Sequence, residues 1–176
     1  EKTVTLDLNS TSNMNYILYA NDTYGNTNKT TQMLVTVQDN DNPVISSLSA
    51  TPSTQNIGGY VNITVVLTDN IAIGSVFLNI TYPDSSIQNF SITVNKTGNN
   101  YFCNKTYGMM GTYDYFIWAN DSSGNKVIST NYTFSVGESM SPQISNVANV
   151  VSDPLDTDSS FGWVNITCNV TDNVAV

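Results

Sequence analysis

Apolar and polar residues alternate with period two along most of this chain. That spacing places successive side chains on opposite faces of a β-strand. Val61, Ile63, Val65 and Leu67 fall on one face, and Asn62, Thr64 and Thr68 on the other. Val76, Leu78 and Ile80 form a second inward row, and Phe90, Ile92 and Val94 a third. A short strand is expected around residues 101–106. Tyr113, Tyr115 and Ile117 follow, and Tyr132, Phe134 and Val136 close the series. Turn residues separate the rows at Gly58-Gly59, Tyr82-Pro83-Asp84, Gly98-Asn99 and Ser123-Gly124-Asn125. No stretch carries a helical period. Seven or so such strands predict an all-β fold.

The pattern also repeats. Residues 15–26 align with 114–125 at an offset of 99, and Pro43 pairs with Pro142 at the same offset. Residues 59–64 and 68–73 align with 162–167 and 171–176 at an offset of 103. The four extra residues fall in the loop around 154–160. A period near one hundred is the size of one immunoglobulin-type sandwich. The expected organisation is therefore the closing half of one unit plus a linker (1–42), one complete β-sandwich (43–137), and a linker plus the opening half of the next (138–176). On this reading the chain begins and ends inside a domain. Either it is a section of a longer covalent array, or the tail of one copy is completed by the head of another. The run Gly111-Thr112-Tyr113-Asp114-Tyr115 has the form of a tyrosine corner, whose hydroxyl bonds back to upstream backbone. Met14 stands at the matching place in the first unit.

Composition narrows the setting. Only 11% of residues are charged, the net charge is −9, and there are five Lys plus Arg. No basic footprint for nucleic acid is present, an anionic membrane would repel the chain, and no apolar run is long enough to insert into a bilayer. Asn-x-Ser/Thr acceptor patterns start at twelve positions: Asn9, Asn21, Asn28, Asn62, Asn79, Asn89, Asn95, Asn104, Asn120, Asn131, Asn165 and Asn169. Random mixing of the same residues gives roughly six. The excess points to an extracellular glycoprotein carrying N-linked glycans. The competing explanation is that Asn-Ile-Thr is simply a good strand tripeptide, with two outward polar residues around one inward Ile.

The runs GTYDYFIWANDSSGN, GGYVNITVVLTDN and NPVISSLSATP, the last read as a linker, resemble the immunoglobulin-like, fibronectin-III-like and PKD-like repeats of cell-surface proteins, archaeal ones above all. The resemblance implies tandem immunoglobulin-like β-sandwich domains in a stalk, adhesin, surface layer or filament. Such a module would contact adjacent repeats or other copies of itself. Asp39-Asn40-Asp41-Asn42-Pro43 is similar to the calcium-binding linker of cadherins, and Ala119-Asn120-Asp121 with Gly124 is loosely similar to a second cadherin segment. The second linker, residues 137–142, lacks the pattern.

Catalytic signatures are missing. With no His, neither a Ser–His–Asp triad nor a His-ligated zinc can be built from this chain. No phosphate-cradling Gly-rich loop appears, and no catalysis is expected. Cys103 and Cys168 fall in different repeat units and are expected as free thiols that pack like small hydrophobes. The expected role is a structural repeat at the cell surface. The alternative is an adhesin that binds a sugar or protein through loops or a sheet face.

Two sites follow. Asp39, Asp41, Asn42, Asp69 and Asp121 should meet at the start of the central unit, where converging oxygens would suit calcium. Phe77, Phe116 and Trp118 should share one outward face, repeated as Ile17 and Tyr19 in the first unit. Exposed aromatic patches of this kind mark contact surfaces. The competing reading is local cover, from glycans on Asn79 or Asn131 or from a nearby loop.

Overall fold

The computed structural model describes residues 11–149 and 165–172. Two compact units are present, Glu1–Val136 and Gly137–Val176. The first opens with β1 (Met14–Tyr16), β2 (Tyr19–Asn21), β3 (Thr27–Lys29) and β4 (Met33–Val35). Then come β5 (Val44–Thr51), β6 (Thr54–Asn56), β7 (Tyr60–Thr68), β8 (Ile73–Thr81), β9 (Ile87–Ser91) and β10 (Lys96–Thr97). It closes with β11 (Asn100–Thr106), β12 (Gly111–Asp121), β13 (Lys126–Ile128) and β14 (Tyr132–Gly137). The second unit contributes β15 (Gln143–Asn149) and β16 (Ile166–Thr171), an antiparallel pair. The fold is all-β, and no helix occurs among the described residues. None there is therefore long and apolar enough to cross a membrane.

Two sheets dominate. One has the order β10-β11-β7-β5, and the other β6-β14-β12-β8-β9 with β13 paired to β12. Their inward rows form a single hydrophobic cluster, an arrangement consistent with a β-sandwich. Val61, Ile63, Val65 and Leu67 enter it from β7, and Val76, Leu78 and Ile80 from β8. Tyr113, Tyr115 and Ile117 enter from β12. Each fully buried aliphatic or Phe side chain contributes roughly 1.5–3 kcal/mol. An aromatic group closes one end. Phe134 stacks on Tyr113 with centroids 4.8 Å apart, and Tyr107 sits 4.9 Å from Tyr113 and 4.8 Å from Phe134. The Tyr113 hydroxyl donates to the Met109 carbonyl at 2.8 Å, the back-bond expected of a tyrosine corner. Burial raises the Tyr115 hydroxyl to about 12 and pushes Tyr107 higher still.

Three sequence expectations are corrected here. The run read as linker contains β5, because Val44–Thr51 pairs along β7 and buries Leu48. Val94 is 87% exposed, since β9 ends at Ser91 and a turn follows in which the Asn95 amide donates to Ile92. Tyr132 is also exposed, although Phe134 and Val136 beside it are buried.

The sequence repeat is reproduced in the hydrogen-bonded register. In β1·β4, Met14 faces Val35 and Tyr16 faces Met33; in β12·β14, Tyr113 faces Phe134 and Tyr115 faces Tyr132. In β2·β3, Tyr19 faces Lys29, as Trp118 faces Ile128 in β12·β13. Every one of these residues moves by 99. A side-chain bond repeats as well: the Leu18 amide donates to Thr30 Oγ1 at 3.1 Å, and the Ile117 amide to Ser129 Oγ at 2.9 Å. In the second unit, β15·β16 copies β5·β7, including the register shift. Ser47 and Asn146, 99 apart, sit in that shift with φ of 54° and 52°.

Candidate functional site

The linker after β4 meets two turns of the central unit at an acidic cluster. Asp121 ends β12 and caps the turn into β13. Its Oδ1 accepts the amides of Ser123, Gly124 and Asn125 at 2.8, 2.6 and 2.8 Å, and its Oδ2 accepts Asn125 Nδ2 at 2.6 Å. Gly124 makes this turn with φ of 97°, which a side chain would strain. Gly74 is required alongside, because a Cβ there would collide with the Asp121 carbonyl. Asp121 is 1% exposed. Burial alone would raise its pKa. The Asn125 side chain and the three turn amides outweigh that and hold the carboxyl below the ordinary aspartate value of 3.8.

Asp69 and Asp39 complete the cluster. Asp69 follows β7, and its Oδ2 accepts the amides of Ile71 and Ala72 at 3.0 Å each. Asp39 Oδ1 accepts the Asp41 amide and Asn70 Nδ2, both at 3.2 Å. Asn125 Nδ2 donates to the Asp39 carbonyl at 3.2 Å, tying the linker to the turn. One carboxylate oxygen from each of Asp39, Asp69 and Asp121 lies within 4.8 Å of the others. Two buried oxygens, Asp39 Oδ2 and Asp69 Oδ1, have no hydrogen-bond partner. Buried carboxylate oxygens are costly in that state, and unpaired carboxylate oxygens are the donor type that hard cations take.

Three of the five predicted ligands thus converge. The Asp41 amide bonds Asp39, but its carboxylate stays out of the triad and meets Asn70 Nδ2, at 3.4 Å from Asp41 Oδ2. Asn42 lines the neighbouring cleft with Asp69 and Asn70, outside the triad. The sequence reading missed Asn125 as the residue that holds Asp121. The signal was there: Asp22 and Asn26 stand 99 residues earlier and make the same turn, with Asp22 Oδ1 accepting the Tyr24 and Asn26 amides at 2.9 and 2.8 Å and Oδ2 accepting Asn26 Nδ2 at 2.6 Å.

The second candidate is the outer face of β8 and β12. Phe77 and Trp118 are paired across the strands, with ring centroids 5.7 Å apart. Together with Phe116, Asn79, Asn89 and Ile128 they line a shallow groove of about 470 Å³. All three predicted aromatics are half-buried rather than fully exposed. In the first unit, Tyr19 lines a separate groove with Leu18 and Lys29, and Lys29 Nζ stands 5.9 Å from its ring. Ile17 is 38% exposed and lies outside that groove's lining.

The glycan acceptors differ in access. Asn21, Asn28, Asn89, Asn95, Asn104, Asn131, Asn165 and Asn169 are exposed. Asn62, Asn79 and Asn120 are half-buried. The Asn62 Oδ1 is buried without a partner, and the Asn120 Oδ1 accepts the Ser75 amide at 2.9 Å. Asn9 lies outside the described residues. Both thiols are free; Cys103 is buried, which raises its pKa, and Cys168 is exposed. No protein-family model matches this chain, and no curated protein matches it.

Proposed function

We propose that this chain is a non-catalytic structural repeat of an extracellular surface protein, a stalk, filament or surface-layer component built from tandem immunoglobulin-like sandwiches. The observation that carries the reading is the copied register: segments 99 and 103 residues apart in sequence make the same strand pairs, turns and bulge. Evolution by duplication of a sandwich-sized unit produces that, and arrays of such units act as spacers. The sheet orders and the Tyr113 corner support immunoglobulin-like topology. The resemblance to archaeal-type surface repeats, and the abundance of glycan acceptors, support a glycoprotein outside the cell. Its partners are adjacent repeats or further copies. Electron microscopy of the native protein tests this. Beaded rods at the cell surface are expected; a compact particle holding an active centre would overturn it.

Calcium belongs to the same proposal. Asp39, Asp69 and Asp121 would hold the ion, with carbonyls and water completing roughly six to eight oxygens. The ion would neutralise three clustered carboxylates and fix the linker against the turns. Millimolar calcium should raise the melting temperature relative to chelator, with about 2.7 kcal/mol gained at a hundredfold excess over Kd. Asp69→Asn should abolish the gain. Identical melting with and without calcium would remove the ion from the proposal and leave the spacer untouched.

A further inference from the structure

We propose that Asn79 is glycosylated and that its first sugars lie on the chain's own aromatic face. The proposal rests on the reading as a glycosylated surface protein. Phe77, Asn79 and Thr81 alternate with the buried Val76, Leu78 and Ile80, so all three stand on the outer side of β8. The acceptor pattern Asn79-Ile80-Thr81 therefore begins one step beyond an aromatic ring on the same face. Phe116 is directly opposite Asn79 on β12, and Trp118 is directly opposite Phe77. Asn89 faces Asn79 from the other side, on β9. Asn79 itself lines the apolar groove formed by these rings.

The chemistry of a pyranose suits this setting. One face of the ring is all C–H, and it packs on the electron-rich face of an aromatic ring, as other C–H groups do. A sugar anchored at Asn79 has its attachment point inside the groove and loses little further freedom on lying down. At most one of the facing pair Asn79 and Asn89 has room for such a chain, since cross-strand Cβ atoms lie roughly 4.5–5.5 Å apart. Both line the groove, but Asn79 sits between Phe77 on its own strand and Phe116 directly across on β12, whereas Asn89 lies on the far side of Asn79 and is paired on β8 with Asn79 alone. This assigns the groove to an intramolecular sugar rather than to an external partner.

The linkage step balances simply. Asn79 Nδ2 attacks C1 of the first sugar of a lipid-linked oligosaccharyl phosphate donor. The N–C1 bond forms, and the C1–O bond to phosphate breaks with its electron pair leaving on oxygen. The nitrogen gives up one proton.

Site mapping and melting of protein taken from its own cells test the proposal. The peptide containing Phe77 to Thr81 should carry sugar. Sugar removal should lower the melting temperature, with the Asn79 share about 4–8 °C for one ring-stacking contact. Thr81→Ala should lack that share. Phe77→Ala should keep the sugar and lose most of the share, and comparing each variant with its own stripped form cancels any folding defect. As a second reading, acrylamide quenching of Trp118 in a Trp163→Phe background should rise when the sugar is removed. Sugar at other acceptors with Asn79 bare would overturn the proposal and keep the glycoprotein reading. So would a sugar on Asn79 whose removal changes neither melting nor quenching, or a Trp118-dependent dimer of the native protein. Absence of sugar at every acceptor would overturn both.

Discussion

Phe134→Ala should destabilise the central unit by about 3–5 kcal/mol, the range for truncating a buried Phe. For a domain of this size that lowers the melting temperature by about 15 °C or more. Phe134 is 1% exposed, stacks on Tyr113, and touches Tyr107 and Tyr115 at centroid distances of 4.8 and 5.9 Å. Its loss leaves a cavity among three large rings that cannot collapse easily, because the Tyr113 hydroxyl is fixed to Met109. Tyr132→Ala, two residues away and 41% exposed, should cost far less. Chemical denaturation of the two variants measures the difference. Equal, small losses would mean that the two sheets do not share a core at this end.

Asp121→Ala should be the next most damaging change, by about 2–4 kcal/mol, as removing a buried acceptor leaves its donors unsatisfied. The carboxylate serves three backbone amides and the Asn125 side chain, and the solvent that could replace it is excluded. Asn125 would then lose its aim at the Asp39 carbonyl, so the linker should loosen too. The built-in control is Asp22→Ala. Asp22 makes the same kind of turn, accepting two of the three equivalent amides and the Asn26 side chain, yet it is exposed, and water can take over its bonds. Melting in the presence of chelator should show a clear loss for Asp121 and no measurable change for Asp22. Equal effects at both sites would mean that burial does not set the value of this turn.

How far the site was legible depended on how local its chemistry is. The Asp-x-x-Gly-Asn turn is a short-range device. Its five residues carry their own hydrogen bonds, so its recurrence at Asp22 and Asp121 could be read along the chain. The meeting of Asp39, Asp69 and Asp121 is not local. It depends on a linker crossing two turns, and the sequence supplied two residues too many, Asp41 and Asn42, because acidic and amide side chains look alike until the backbone aims them. The aromatic face was predictable from parity on β8 and β12. That Asn79 and Asn89 face each other beside it required the β8·β9 register, which parity leaves free by any even shift.

Alternation, turn residues and the repeat of 99 were enough to determine that the chain is all-β, which rows face together, and which segments copy one another. These follow from the two-residue period of the strand and from the backbone needs of Gly and Asn in turns. Burial was decided elsewhere. Leu18 and Ile117 are equivalent by sequence, by the hydroxyl that each amide reaches and by the amide (Thr30 or Ser129) that each carbonyl accepts, yet Leu18 is 63% exposed and Ile117 is fully buried. The same holds for Ile166 at 68% and its counterpart Ile63 at 1%. A strand carries the instruction to present an apolar row, but only a second sheet packed against that row removes it from water.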